Sequence, residues 1–147
     1  MNIPRLHLTK KGSLLRYRWF AGPKRAPMDF RRDLGGRGLR DLETLTRRIY
    51  HPEASDNGGE GSSLVDLGRA LYRLLIPEDL HPLLKKNEAP LAIHGVEHLF
   101  PWEVLHDGEQ FLGLRFPIGR LPGWFEPASQ TSLVRGHSSE NIRVVMV

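Results

Sequence analysis

Apolar and polar residues alternate in two runs near the amino terminus, Ile3 to Leu8 and Leu14 to Phe20. Leu6 and Leu8, then Leu15, Tyr17 and Trp19, fall on one side of their runs, and Arg16 and Arg18 fall on the other. That is the period of strands with one buried and one wet face. With a turn at Lys10 to Ser13 between them, the two runs predict a hairpin. Gly22-Pro23 interrupts the pattern, and Met28 to Arg32 adds a short third strand before a turn at Gly35-Gly36-Arg37-Gly38. The period then changes. Leu39, Leu42, Leu45 and Ile49 recur at helical spacing, which predicts an amphipathic helix from Leu39 to Tyr50 with its arginines outside.

The segment HPEASDNGGEGS, His51 to Ser62, is rich in proline, glycine, serine and acids and reads as a flexible loop. Ser63 with Asp66 forms a capping pair for a second helix, Leu64 to Ile76, whose Leu64, Leu67, Leu71, Leu74 and Leu75 line one face. Pro77-Glu78-Asp79 opens a short helix that ends near Lys85-Lys86. Pro90 to Val96 is a buried strand. Gln110 to Phe116 is another, with Leu112, Leu114 and Phe116 alternating onto one face. Trp124 to Asn141 reads as a connecting loop and Ile142 to Val147 as a last strand. These elements predict an α/β (mixed α+β) fold. Its mixed sheet would hold the hairpin, the Pro90 strand, the Phe111 strand and the Ile142 strand, with the helices Leu39 to Tyr50 and Leu64 to Ile76 packed on it.

At 147 residues the chain suits one domain. Within it, residues 1–50 form a hairpin-and-helix subregion, 51–63 the flexible loop and 64–147 the remainder. No apolar run reaches the roughly 20 residues that span a bilayer, and MNIPRLHLTKKG lacks the apolar core of a signal peptide. A cytoplasmic protein without membrane contact is the expectation. The absence of cysteine excludes disulfides, cysteine-ligated zinc and thiol catalysis. Charge is uneven: residues 1–50 carry 13 Lys+Arg against four Asp+Glu, a balance of +9 in a chain of net +4, so the rest carries −5. A basic region of this kind suits an acidic protein partner or the chain's own acidic half. The basic residues are spread over strands and a helix with no nucleic-acid-binding pattern, so nucleic acid is not the expected partner.

Candidate chemistry is sparse. His94, Glu97, His98, Glu103, His106 and Asp107 are of metal-binding type, but His94 sits in a strand and His98 in the following loop, so no metal or other cofactor is expected. The glycines of 35–38 and 58–61 lack phosphate-loop spacing. Ser62, Ser63, Ser129, Ser132, Ser138 and Ser139 lack a nucleophile elbow. Glu78-Asp79 belongs to a helical first turn rather than to acid–base work. Pro101-Trp102-Glu103 is more informative. Proline extends Phe100 and lets a helical turn begin, Glu103 falls inside that turn, and Trp102 is a large apolar anchor, read as a core plug rather than an exposed contact. Glu103 could cap its turn or pair with Arg115 or Arg120. Asp107-Gly108 then stops the turn.

The string Pro101-Trp102-Glu103, Val104-Leu105, Asp107-Gly108 and Phe111-Leu112 resembles the CHAT domain, a caspase-like peptidase domain related to separase. The resemblance extends back through LVDLGRALYRLLIPEDLHPLL (Leu64 to Leu84) and forward through FPIGRL (Phe116 to Leu121), and it is looser over Ile3 to Tyr50. It implies that Ile142 to Val147 is the first strand of a caspase-like core and that the family's catalytic histidine and cysteine lie beyond it. No residue here inherits either role. Pro101, Trp102, Glu103, Asp107 and Gly108 are then structural motif residues. The chain would be the non-catalytic amino-terminal part of a CHAT-type cysteine peptidase, partnered by a protein carrying the remaining half or by a regulatory protein. Self-association through the Ile142 strand is a further expectation. The alternative is a stand-alone interaction module that binds an acidic partner through its basic amino-terminal face.

Overall fold

The computed structural model describes residues 2–54, 63–95 and 100–122. They form a five-stranded mixed sheet with four helices, in keeping with the α/β class. Strands β1 (Arg5–Lys11) and β2 (Leu14–Phe20) make the expected hairpin around Gly12-Ser13, and β3 (Met28–Asp33) pairs antiparallel with β2. On its other side β1 runs parallel to β4 (Leu91–Gly95), and β4 parallel to β5 (Ile118–Pro122). The order across the sheet is β3-β2-β1-β4-β5. Strand β1 therefore joins an antiparallel half to a parallel half.

Leu6, Leu8, Leu15, Tyr17 and Trp19 point from the first two strands into the core, as the alternation predicts. They meet Leu42 of α1 (Gly35–Tyr50) and Leu71, Tyr72 and Leu75 of α2 (Leu64–Leu75). Polar contacts tie sheet to helix. The Tyr17 hydroxyl donates to the Leu75 carbonyl at 2.6 Å, and Arg32 of β3 donates to the carbonyls of Leu74 at 2.9 Å and Arg73 at 3.0 Å. Those carbonyls belong to the last turn of α2, where helical partners run out. At its other end the Ser63 hydroxyl accepts from the Asp66 N–H at 3.2 Å, the expected cap. Glu78–Leu80 is a 3₁₀ turn leading into α3 (His81–Lys86), as Pro77 and the flanking charges suggest. No helix among the described residues is long and apolar enough to cross a membrane.

Three expectations require correction. The Gly35-Gly36-Arg37-Gly38 segment is the first turn of α1 rather than a loop. Its Gly35 N–H is held by the Asp33 carboxylate at 3.0 Å, and Gly38 lies where a Cβ would stand 3.0 Å from Leu34 Cβ and 3.5 Å from Leu74 Cδ1, so glycine lets α1 seat on α2. Leu64 does not join the buried face of α2; at the first turn it is 48% exposed.

The third is Gln110 to Phe116, which is not a strand. Phe111 makes one isolated bridge to His106, and Leu112–Arg115 is a short helix, α4, with Arg115 N–H donating to Phe111 O and Phe116 N–H to Leu112 O. Leu112 and Phe116 are buried and Leu114 is 76% exposed. Positions i and i+4 share a face in a helix and in a strand alike, so only Leu114 distinguishes the two periods. The fifth strand of the sheet is instead Ile118–Pro122. Val96, most of the 51–63 loop and the Ile142 to Val147 strand lie outside the described residues, and Pro52–Ala54 forms a 3₁₀ turn.

Candidate functional site

Pro101 follows the buried Phe100 and directs the chain into the 3₁₀ turn Trp102–Val104, with Val104 N–H donating to Pro101 O at 3.1 Å and Leu105 N–H to Trp102 O at 3.3 Å. Trp102 has no exposed surface and packs beside Phe100, ring centroids 6.3 Å apart, so it is the core plug. Glu103 points the other way. Of the partners left open by the sequence it takes Arg120: Arg120 Nε donates to Glu103 Oε1 at 3.1 Å and Nη2 to Oε2, which ties the turn to β5.

Asp107 and Gly108 close the unit. Asp107 Oδ1 accepts from the N–H groups of Glu109 and Gln110, both at 2.9 Å, and Oδ2 lies 2.7 Å from Arg115 Nη2. Burial opposes ionisation of Asp107, but these N–H groups and the guanidinium outweigh it and hold the carboxyl below the usual carboxylate range. This contribution to stability is present above the carboxylate's unfolded pKa and is lost as pH falls through the lowered folded value. Gly108 has φ +101°, a conformation side chains disfavour. The unit is keyed to α2 at Gly68, whose carbonyl accepts from the His106 N–H at 3.1 Å. A Cβ at Gly68 would stand 2.2 Å from the Val104 carbonyl oxygen.

The residues of metal-binding type do not converge. His94 stacks on His7 at 4.6 Å across the parallel pair β1–β4, while His106 lies edge-on to Phe111 at 4.9 Å beside α2. Glu103 and Asp107 are each engaged by an arginine. No group of three His, Asp or Glu among the described residues is placed to hold a metal ion. Glu97, His98, residues 58–61, Ser62 and the serines after residue 122 lie outside the described residues. Ser63 serves as a helix cap, and Glu78 and Asp79 sit in their helical turn. With no cysteine, the chain supplies no thiolate nucleophile.

The basic amino-terminal region resolves into a surface. Arg16 and Arg18 of β2 project on the face opposite the core, Arg16 in register with Arg31 and Thr9, and Arg18 with Asp29 and His7. They border a depression of about 320 Å³. Arg18 is neutralised by Asp29 through Nε at 2.7 Å and Nη2 at 3.2 Å, and Arg5 lies over the Phe20 ring at 5.4 Å. His7 in this face titrates at about 4, lowered by burial and then by His94, Arg5 and Arg18, so it is neutral at pH 7. The alternation in β2 made this face legible. Sequence reasoning missed a second basic cluster, the Arg69–Arg73 pair of α2, although its i,i+4 spacing was visible.

Compared with known proteins, the chain matches no family model, no curated protein and no solved structure.

Proposed function

We propose that this chain is the non-catalytic amino-terminal part of a CHAT-type, caspase-like cysteine peptidase. The observation that carries the reading is the unit from Phe100 to Gly108. The residues behind the resemblance form one connection between two parallel strands: Trp102 anchors it in the core, Glu103 holds β5 through Arg120, and Asp107 and Gly108 shape its closing turn. Residues of such different types at that spacing answer to one local shape, which supports a common origin for motif and fold. Among the described residues β5 is the outermost strand on the parallel side. Further parallel strands bearing the histidine and cysteine would add there. The chain's role is then to scaffold that half in the cytoplasm.

The adjoining coding sequence tests this reading. It should encode, in frame or as a neighbouring polypeptide, a caspase-like segment with one histidine and one cysteine in catalytic positions. The purified 147-residue chain should cleave no peptide and take up no thiol-directed probe. Cleavage by the chain alone, or an adjoining sequence without such a segment, contradicts it.

A second reading rests on the open sheet face, where Arg16 and Arg31 lie side by side, without an ion-pair partner among the described residues. It makes the chain an interaction module for an acidic protein surface. Replacing both arginines with glutamate would abolish that association and leave assembly with a peptidase half intact.

A further inference from the structure

A cavity of about 320 Å³ opens between α2, α3 and the turn at Asp107-Gly108, at the lower end of the range for small-molecule pockets, roughly 300–1,000 Å³. It lies apart from the open sheet face and does not depend on the peptidase reading. Its walls are basic. Arg69 and Arg73 contribute from successive turns of α2, Lys85 from the end of α3 and His106 from the segment before the turn. Among the described residues Asp107 is the one carboxylate lining it, and both its oxygens are committed, Oδ1 to two backbone N–H groups and Oδ2 to Arg115. Lys85 and Arg115 share Glu109, at 3.4 Å and 2.9 Å. Four cations thus face two carboxylates, and the two charges left over are those of Arg69 and Arg73, neither of which has an ion-pair partner among the described residues.

Uncommitted donors accompany this charge. Tyr72, 3% exposed, lines the cavity, and its hydroxyl has no hydrogen-bond partner among the described residues; neither does the buried Arg69 Nε. Burial, and then the Asp107 charge, keep the hydroxyl protonated, so it can donate. The Gly108 N–H donates to His106 Nδ1 at 3.0 Å, which leaves the imidazole proton on Nε2 as a further donor. The Tyr72 ring is held against His81, centroids 4.7 Å apart, and His81 Nε2 is in turn 3.2 Å from the Ile76 carbonyl, so the wall is fixed in place.

We propose that this cavity binds the phosphate group of a small phosphorylated molecule. Two unneutralised guanidinium groups balance a dianion, whereas a single carboxylate would leave one of them uncompensated. Their planar forks match tetrahedral oxyanions through paired N–H donors, with the Tyr72 hydroxyl available as a neutral donor.

The test is binding by the whole chain at constant ionic strength, read by calorimetry and by the rise in melting temperature that a ligand of the folded state must produce. Inorganic phosphate and glycerol phosphate should bind, and acetate at least tenfold more weakly. Arg73→Gln, at an exposed position that leaves the fold undisturbed, should weaken glycerol phosphate severalfold. Arg69→Gln with Arg73→Gln should weaken it tenfold or more, and Tyr72→Phe should fall between wild type and the double variant. Arg16→Gln with Arg31→Gln should change nothing. No binding of either phosphate, equal binding of acetate, or binding that survives Arg73→Gln undiminished would overturn the proposal. Binding of a phosphoserine peptide without binding of glycerol phosphate would overturn the small-molecule assignment.

Discussion

The antiparallel half of the sheet, β1 to β3, and the parallel half, β4 and β5 with the connection between them, are built on different terms. In the antiparallel half one face meets the core and the other meets solvent, so each strand records its orientation in its sequence: Leu15, Tyr17 and Trp19 inward, Arg16 and Arg18 outward. The parallel half is held by a connection packed against α2 at Gly68, plugged by Trp102 and closed by the ion pairs of Glu103 and Asp107. Antiparallel neighbours need only a short turn, whereas parallel neighbours need a crossover, and the crossover must find its own place in the core. Stability in the first half is spread along a repeating pattern. In the second it rests on a few positions, above all Trp102 and Gly68.

Substitutions in the crossover and its core tell the two halves apart. Trp102→Ala should have the largest effect, a loss of about 3–5 kcal/mol on chemical denaturation, because the transfer and cavity contributions add at a fully buried indole. Leu71→Ala in the same core should lose about 2–5 kcal/mol, and the exposed Arg37→Ala should show no measurable loss. An unchanged melting temperature for Trp102→Ala would mean that the crossover is not anchored by its tryptophan.

Gly68→Ala tests the seam between α2 and the crossover. In an ordinary helix interior the change gains about 1 kcal/mol, but here the new methyl meets a backbone oxygen 2.2 Å away and the segments must separate. The expected result is a net loss of about 1–3 kcal/mol, the range for overpacking. A stabilised variant would show that α2 and the crossover do not touch as described.

Within the crossover the smallest effect belongs to the Glu103–Arg120 pair, whose side chains are 46% and 31% exposed. A double-mutant cycle to alanine should give a coupling below about 1 kcal/mol, falling as salt is added. A coupling of several kcal/mol would make this pair, rather than Trp102, the main fastening of β5.

How much was legible follows from the same contrast. The hairpin and both long helices could be read because each presents a face to water and therefore shows a period, whereas the third strand was legible only from the breakers on either side of it. The Ser63 cap was readable for a local reason, since its hydroxyl and the Asp66 N–H it serves are three residues apart. The crossover was legible only as a motif. Trp102 was recognised as a plug and Asp107-Gly108 as a turn, but the segment after them was assigned the wrong period, because Leu112 and Phe116 satisfy both periods. Helix α1 began earlier than expected because glycine was read as a breaker, while Gly38 serves a close approach to Leu34 and Leu74 that no local pattern records. The cavity beside Arg69, Tyr72 and Arg73 gathers residues from three separate elements. Its spare charge emerges only when the ion pairs of Asp107 and Glu109 are known.

The proposal that this chain scaffolds a peptidase half is tested most directly by producing it together with the polypeptide that the adjoining coding sequence specifies, and measuring peptide cleavage. Activity should need both parts and disappear when the partner's cysteine is replaced by alanine. Trp102→Ala in this chain should lower that activity together with assembly. Cleavage that proceeds equally well without residues 1–147 would contradict it.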